Sequence, residues 1–350
     1  MPLPAPALRR SQRRRARFPG GAGAALALAL LVLALAGPPA AAQRPVRIAF
    51  ANATEEPGVG LEGTGFTGRE VRESFVLAAR LSPVEMVYLD NQRDDARAIA
   101  NAAAAVKAGV DLYVQYHRGA AANAQVADIL RAGKIPVLAI NHPVPGAPLY
   151  TIDNAAAGRL AGEALADFAA RSWRGQPIIG AVVGALVRGD GVAERARGTT
   201  EVLVRRLPAV RLSSLDTQGN PAQVGPLLGK LLAAHPSGRV MVVATDDATA
   251  LAAKSALDAA GRLADGAIVS HGVDRSIHGG ISDRKEIDPS NRGSIVVGSV
   301  AFYLDRLGYD VLPLALKMLR GESVPARTAT RHKLINAANV FVEYPPHDMN

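Results

Sequence analysis

The chain has 350 residues, with 40 basic and 31 acidic side chains, a formal charge of +9, and no cysteine. That length can bury a large core and suggests two domains, and the missing cysteine excludes disulfides, thiolate metal sites and a lipid-anchoring cysteine. Six arginines and no acid precede Ala42, so the remainder carries 34 basic against 31 acidic residues, or +3, and the charge does not point to a nucleic-acid surface.

The first segment reads as a targeting signal. Leu8–Phe18 is basic, Ala24–Ala36 is an apolar run too short to span a bilayer comfortably, and the small residues that follow place a cleavage site after Ala42. The expected mature protein is exported and soluble, in the periplasm or secreted.

From Val46 the pattern alternates short apolar runs with amphipathic stretches. Strands are expected at Val46–Asn52, Val84–Asp90, Val110–Tyr116, Ile135–Asn141 and Leu149–Asp153. Helices are expected at Arg69–Leu81, Asp95–Gly109 and Ala122–Gly133, and a long one at Asn154–Trp173 with Leu160, Ala164, Leu165 and Phe168 on one face. The pattern then restarts. Strands are expected at Ile178–Gly184, Val210–Asp216, Arg239–Asp246, Ala267–Asp274 and Gly293–Phe302. Between and after them come helices at Gly191–Leu207, Ala222–Pro236, Asp247–Gly261 and Leu304–Gly321, while Arg275–Gly293 reads as a polar surface loop. Such alternation predicts an α/β fold of two Rossmann-like lobes, each a parallel sheet covered on both faces.

Several constellations of residues could carry chemistry. Gly58, Gly60 and Gly63 have the spacing of a dinucleotide fingerprint, and Asp90 ends the second strand as that fingerprint requires. But Ala53–Pro57 separates the strand from Gly58, the helix starts beyond Gly65, and Glu55, Glu56 and Glu62 set negative charge where a pyrophosphate would lie. The simpler reading is a flexible loop. His271, Asp274 and His278 are close in sequence but match no common metal-ligand spacing, and no G-x-S-x-G nucleophile elbow occurs. Polar residues do gather at the C-terminal ends of strands: Gln115 to Arg118, Asn141 and His142, Asp153 and Asn154, Asp216, Asp246, Asp247 and Asp274. Ligands of open parallel sheets bind at that edge. Taken singly, each is a helix cap or a solvated loop residue, Asp247 reading as an N-cap; together they suggest a polar cleft suited to a hydroxylated ligand.

Four segments, in order and spacing, resemble the periplasmic sugar-binding proteins of ATP-driven importers, of the ribose- and galactose-binding type. They are "AGKIPVLAINHP", "TIDNAAAGRLAGEAL", "GVAERARGTTEVL" and "LLAAHPSGRVMVVATDDATALAAKSAL", and the resemblance spans Val46 to Ala338. It implies two lobes joined by three hinge crossings, with residues 43–152 and 302–330 in one lobe and 153–301 and 331–345 in the other. It also implies ligand contacts at Tyr116, Asn141, His142, Arg197, Asp246 and Asp274, with Phe66 and Phe302 as apolar partners. No catalysis, cofactor or metal is implied. A monomer would capture a sugar, polyol or similar polar molecule by lobe closure and deliver it to an ABC-type permease in the inner membrane. Two alternatives stay open: a periplasmic sensor presenting its ligand to a chemoreceptor or histidine kinase, and an exported dinucleotide-dependent oxidoreductase using the glycine loop. The chain departs from the family pattern in four places, one being a longer loop from Arg275 to Arg292. The glycine loop with Phe66 stands where adjacent aromatics are usual, His142 where an arginine is common, and Tyr116 where an amide is common.

Overall fold

The computed structural model describes residues 44–187, 191–278 and 285–345, and from Val46 onward the chain is one compact unit. The targeting signal expected over residues 1–42 lies outside the described residues.

The first sheet uses β1 (Val46–Asn52), β2 (Val84–Asp90), β3 (Leu112–Gln115), β4 (Val137–Ile140), β5 (Leu149–Thr151) and β11 (Arg327–Ala329), in the order β11-β5-β4-β3-β1-β2. The second uses β6 (Ile178–Gly184), β7 (Arg211–Asp216), β8 (Arg239–Ala244), β9 (Gly266–Gly272), β10 (Val296–Ala301) and β12 (Leu334–Ile335), in the order β12-β10-β9-β8-β6-β7. All pairings are parallel except β10 with β12. The chain crosses between sheets three times: after β5, after β10, and between β11 and β12.

Helices α1 (Gly68–Ala79), α2 (Asp95–Ala108), α3 (Ala120–Ala132) and α4 (Asn154–Ser172) follow successive strands of the first half. In the second half come α5 (Gly191–Arg206), α6 (Val224–Ala234), α7 (Asp247–Ala259), α8 (Leu307–Leu319) and the short α9 (Val340–Glu343). Their starts are dictated locally. Thr67 forms a capping box with Glu70, Asp94 caps α2 and Asp153 caps α4. Among the described residues, no helix is long and apolar enough to cross a membrane.

The central strands are buried on both faces, which is why they read as continuous apolar runs: β9 is buried along its full length. Phe50 of β1 stacks on Phe75 of α1 with ring centroids 4.0 Å apart and anchors the first core. In both sheets the chain leaves the central strand first to one side and then to the other. The resulting switch points lie between β1 and β3 and between β6 and β8, and the crevice at the C-terminal ends of such strands is where open α/β sheets bind ligands.

Three expectations change in detail. The stretch expected as one helix from Ala222 opens with a 3₁₀ turn at Pro221–Gln223. The short strands β11 and β12 add to those expected. The loop beginning at Arg275 is not simply a surface loop: Ile277 and Ile287 are fully buried in the second core, and His278 bridges Ile287.

Candidate functional site

A cavity of about 610 Å³ opens at the two switch points. From the first sheet it is lined by Arg93 and Asp95 after β2, by Tyr116, His117, Arg118 and Gly119 after β3, and by His142 after β4. From the second it is lined by Ala185 after β6, Gly219 and Pro221 after β7, Asp246 and Ala248 after β8, and Val192 on α5. The loop between β1 and α1 supplies Val59 through Gly65.

That loop is ordered by its own backbone. Leu61 N–H donates to the Phe66 carbonyl at 2.7 Å, Thr64 N–H to the Leu61 carbonyl at 3.0 Å, and Gly60 bridges Thr67. Phe66 N–H donates to Thr64 Oγ1 at 3.2 Å and Gly65 N–H to Asp274 Oδ2 at 3.0 Å. These amides are therefore committed, and they form no row of donors for a pyrophosphate. The group turned toward the cavity is the Glu62 side chain. Its residue has φ +54°, a left-handed conformation that costs a non-glycine residue on the order of 1–3 kcal/mol and is held by its surroundings.

Glu62 Oε1 accepts a 2.7 Å hydrogen bond from the Tyr116 hydroxyl and lies 3.5 Å from His142 Nε2. Burial pushes the carboxyl upward. Hydrogen bonding and charge from His142, the Tyr116 hydroxyl and the Arg195 charge outweigh it and bring the pKa down to about 2. Tyr116 moves the opposite way: burial, and then the Glu62 charge, push its phenol well above 10, so it remains a donor. Asn141 stands behind it, with φ +55°; its Nδ2 donates to the Tyr116 oxygen at 3.2 Å and its Oδ1 accepts from Ile152 N–H. His117, almost fully buried, pairs with Asp95 at 2.7 Å.

Under the loop lies Arg195, 1 % exposed. Its Nε donates to Asn154 Oδ1 at 2.7 Å, and its guanidinium also reaches the carbonyls of Thr245 at 2.8 Å, Gly63 at 3.1 Å and Glu62. It stacks on Phe302, 4.3 Å from the ring centroid. Close packing of α4 on α5 brings it there. A Cβ on Gly158 would meet the Arg195 carbonyl at 2.0 Å, and one on Gly198 would meet the Ala155 carbonyl at 2.3 Å, so only glycines allow this approach.

Beside it, burial and then the Asp274 charge push the Asp247 carboxyl well above its usual range. Asp247 accepts from Ser299 Oγ and from Asp274 N–H, both at 2.7 Å. Val273, a β-branched residue at φ +62°, turns the chain so that Asp274 faces the loop. Burial, then the Arg195 charge, lower the His271 imidazole to about 3, leaving it neutral, with Nδ1 on the Ala244 carbonyl at 2.8 Å. Among the described residues, no group of three or more His, Asp or Glu side chains is placed to hold a metal ion.

Of the expected contacts, Tyr116, His142 and Asp246 line the cavity. Asn141 supports Tyr116 from behind. Phe66 and Phe302 are 2 % and 1 % exposed and belong to the first core, so they offer the cavity no face. Asp274 is committed to Gly65 N–H and to Ser276. Arg197 does not line the cavity: its side chain is 74 % exposed and pairs with Glu194 on the surface. It lies two residues from Arg195, and at about 100° per residue that turns it to the other side of the helix. Asp247 corrects an expectation. The N-cap of α7 is Asp246, which accepts Thr249 N–H at 2.8 Å, while Asp247 points into the protein. Glu62, Arg195 and Asp95 were not among the expected contacts, and His117 was expected only as one of the polar strand-end residues of the cleft. The burial of Val192, Thr199 and Val202 at helical spacing with Arg195 was a signal for Arg195, and an acid inside a glycine loop was a signal for Glu62.

Two sheets with matching strand order and a cavity at both switch points define a two-lobed binding protein. Residues 62–323 match the periplasmic binding protein domain, and the chain belongs to that family. It is similar to a sugar ABC transporter (sugar-binding protein) from Bacillus halodurans, with 17% identity, a TM-score of 0.65, and 85% of this chain and 99% of that one covered. A periplasmic solute-binding protein from Actinobacillus succinogenes, solved with bound D-allose, gives 13% identity and a TM-score of 0.64 over 84% of this chain and 98% of that one. One from Agrobacterium vitis with bound allitol gives 18% identity and 0.61 over 86% and 98%. At such identities the likeness is one of fold. No protein of curated function matches the chain in sequence.

Proposed function

We propose that the protein is an exported solute-binding protein that captures a sugar, polyol or similar polar small molecule between its lobes and hands it to an ABC-type permease. The observation that carries this reading is a cavity walled by the strand ends of both sheets, large enough for a monosaccharide-sized ligand and lined by carboxylate, imidazole and guanidinium groups. Relatives of the same fold were solved with D-allose and allitol, which supports the ligand class. The mature chain begins after Ala42 and works as a monomer in the periplasm. Residues 43–152 with 302–330 and residues 153–301 with 331–345 close on the ligand about the three crossings. Tyr116, His142 and Asp246 contact it, assisted by Asp95, His117 and Arg118. Catalysis is no part of this role: the work is a ligand-dependent shift between open and closed lobes.

A thermal-shift screen of the chain from residue 43 against hexoses, pentoses, alditols and small acids tests this. At 100 times its dissociation constant, a ligand specific to the folded state adds about 2.7 kcal/mol of stability, several degrees in a protein this size. A screen in which no polyhydroxy compound raises the melting temperature contradicts the reading.

A further inference from the structure

The strap between β1 and α1 belongs to the first sheet but is fastened to the second. Arg195 donates to the Glu62 and Gly63 carbonyls, Asp274 accepts the Gly65 amide, and Gly63 lies so close to α5 that a Cβ there would meet Val192 at 2.8 Å. A Cβ on Gly65 would meet the Asp274 carboxylate oxygen at 2.1 Å. Glycine is thus required where the strap docks, and the groups that hold it are buried side chains of the other lobe. The charged side chain the strap brings to the cavity wall beside its docking points is Glu62, fixed by Tyr116 and facing His142.

We propose that this strap is a built-in wall of the binding site, that Arg195 and Asp274 are positioning residues that hold it, and that Glu62 determines specificity. The wall presents a fixed acceptor. It selects ligands that offer a hydroxyl or ammonium hydrogen at that point, neutral polyols and amino sugars, and it rejects sugar acids by charge repulsion. This rests on the binding-protein reading for its ligand, but the docking itself does not.

The absence of cysteine makes docking directly measurable. The Cβ built on Gly65 lies 3.3 Å from Asp274 Cβ, close to the range of about 3.5–4.5 Å spanned by disulfides, and Gly65 is not at positive φ. The double variant Gly65→Cys/Asp274→Cys should form one intramolecular disulfide under mild oxidation with no ligand added. In the wild type, the Gly65 amide, whose acceptor is the Asp274 carboxylate, should exchange at least tenfold more slowly than in an unstructured peptide. Free thiols in a folded double variant, or an unprotected Gly65 amide in the wild type, overturn the docked wall whatever the protein binds. If the double variant does not fold, the wild-type exchange decides alone.

Specificity is read with four probes: allitol, D-allose, D-glucosamine and D-glucuronate. At least one of the first three should raise the wild-type melting temperature, and D-glucuronate should not. Glu62→Gln should weaken the responding probe about tenfold or more. Binding of D-glucuronate to the wild type, an unchanged affinity in Glu62→Gln, or silence from all four probes overturns the specificity claim. A silent panel beside a successful cross-link shows that the ligand class, and not the docked strap, is at fault.

Discussion

The two lobes share a strand order but contribute differently to the cavity between them. The first lobe contributes side chains with chemistry: Glu62, Asp95, Tyr116, His117, Arg118 and His142. The second lines the same space mainly with small or apolar residues, Ala185, Val192, Gly219, Pro221 and Ala248, with Asp246 its one acid there. Its strongly polar groups, Arg195, Asp247 and Asp274, lie deeper and are engaged by protein. In the proposed reading the first lobe would read the ligand, and the second would supply a floor and a clamp for the strap. Equal sheets need not line a shared cavity equally: the long connection after β1 adds an acid to the wall on the side of the first sheet.

Substitutions can break this asymmetry. The largest effect is expected at Arg195. Arg195→Ala leaves the Asn154 side chain and three carbonyls without their donor, and chemical denaturation should show a loss of about 3 kcal/mol or more, as for several buried acceptors left unsatisfied. An effect near zero would mean the guanidinium is not the clamp.

Next comes the acid limb of the stability curve. Glu62 titrates at about 2 in the folded chain against 4.5 normally. A carboxyl whose pKa is lowered by folding stabilises fully above its unfolded value, and that stabilisation is lost as pH falls through the folded one. The wild type should therefore lose up to roughly 3 kcal/mol between about pH 4.5 and 2 from this group, a part of the slope that Glu62→Gln should lack. Equal slopes in the two proteins would remove Glu62 from its pairing with Tyr116 and His142.

A smaller effect belongs to Asp246. Asp246→Ala removes the α7 cap on Thr249 N–H and should cost about 1 kcal/mol in a urea melt, within a range of about 0.5–2. Smallest is Arg197→Ala. Its exposed pair with Glu194 should be worth under about 0.5 kcal/mol, and ligand affinity should not move. A large change there would restore Arg197 over Arg195.

The architecture was legible because parallel strands buried on both faces are written as short continuous apolar runs, and Gly109 and Asp153 mark the helix ends clearly. The strands β11 and β12 were not, because three- and two-residue edge pairings leave too few positions for a period to show. At the site, Tyr116, His142 and Asp246 could be read because strand ends in such sheets converge on one edge. Arg195 and Arg197 could not be separated from the run "ERAR" alone; only the buried face of α5 decides between them. Glu62 stayed hidden for another reason. Its role depends on contacts with Tyr116, 54 positions away, with His142, and with Arg195, 133 positions away, and no local spacing encodes the docking of a strap across two lobes.

The account turns on where the ligand sits, and a crystal structure of the protein bound to the best compound from the screen tests that most directly. The account predicts ligand density between Tyr116, His142 and Asp246, with Glu62 in contact and Arg195 still bonded to the strap carbonyls. A strap swung clear of the cleft, with Arg195 and Asp274 on the ligand instead, would contradict it.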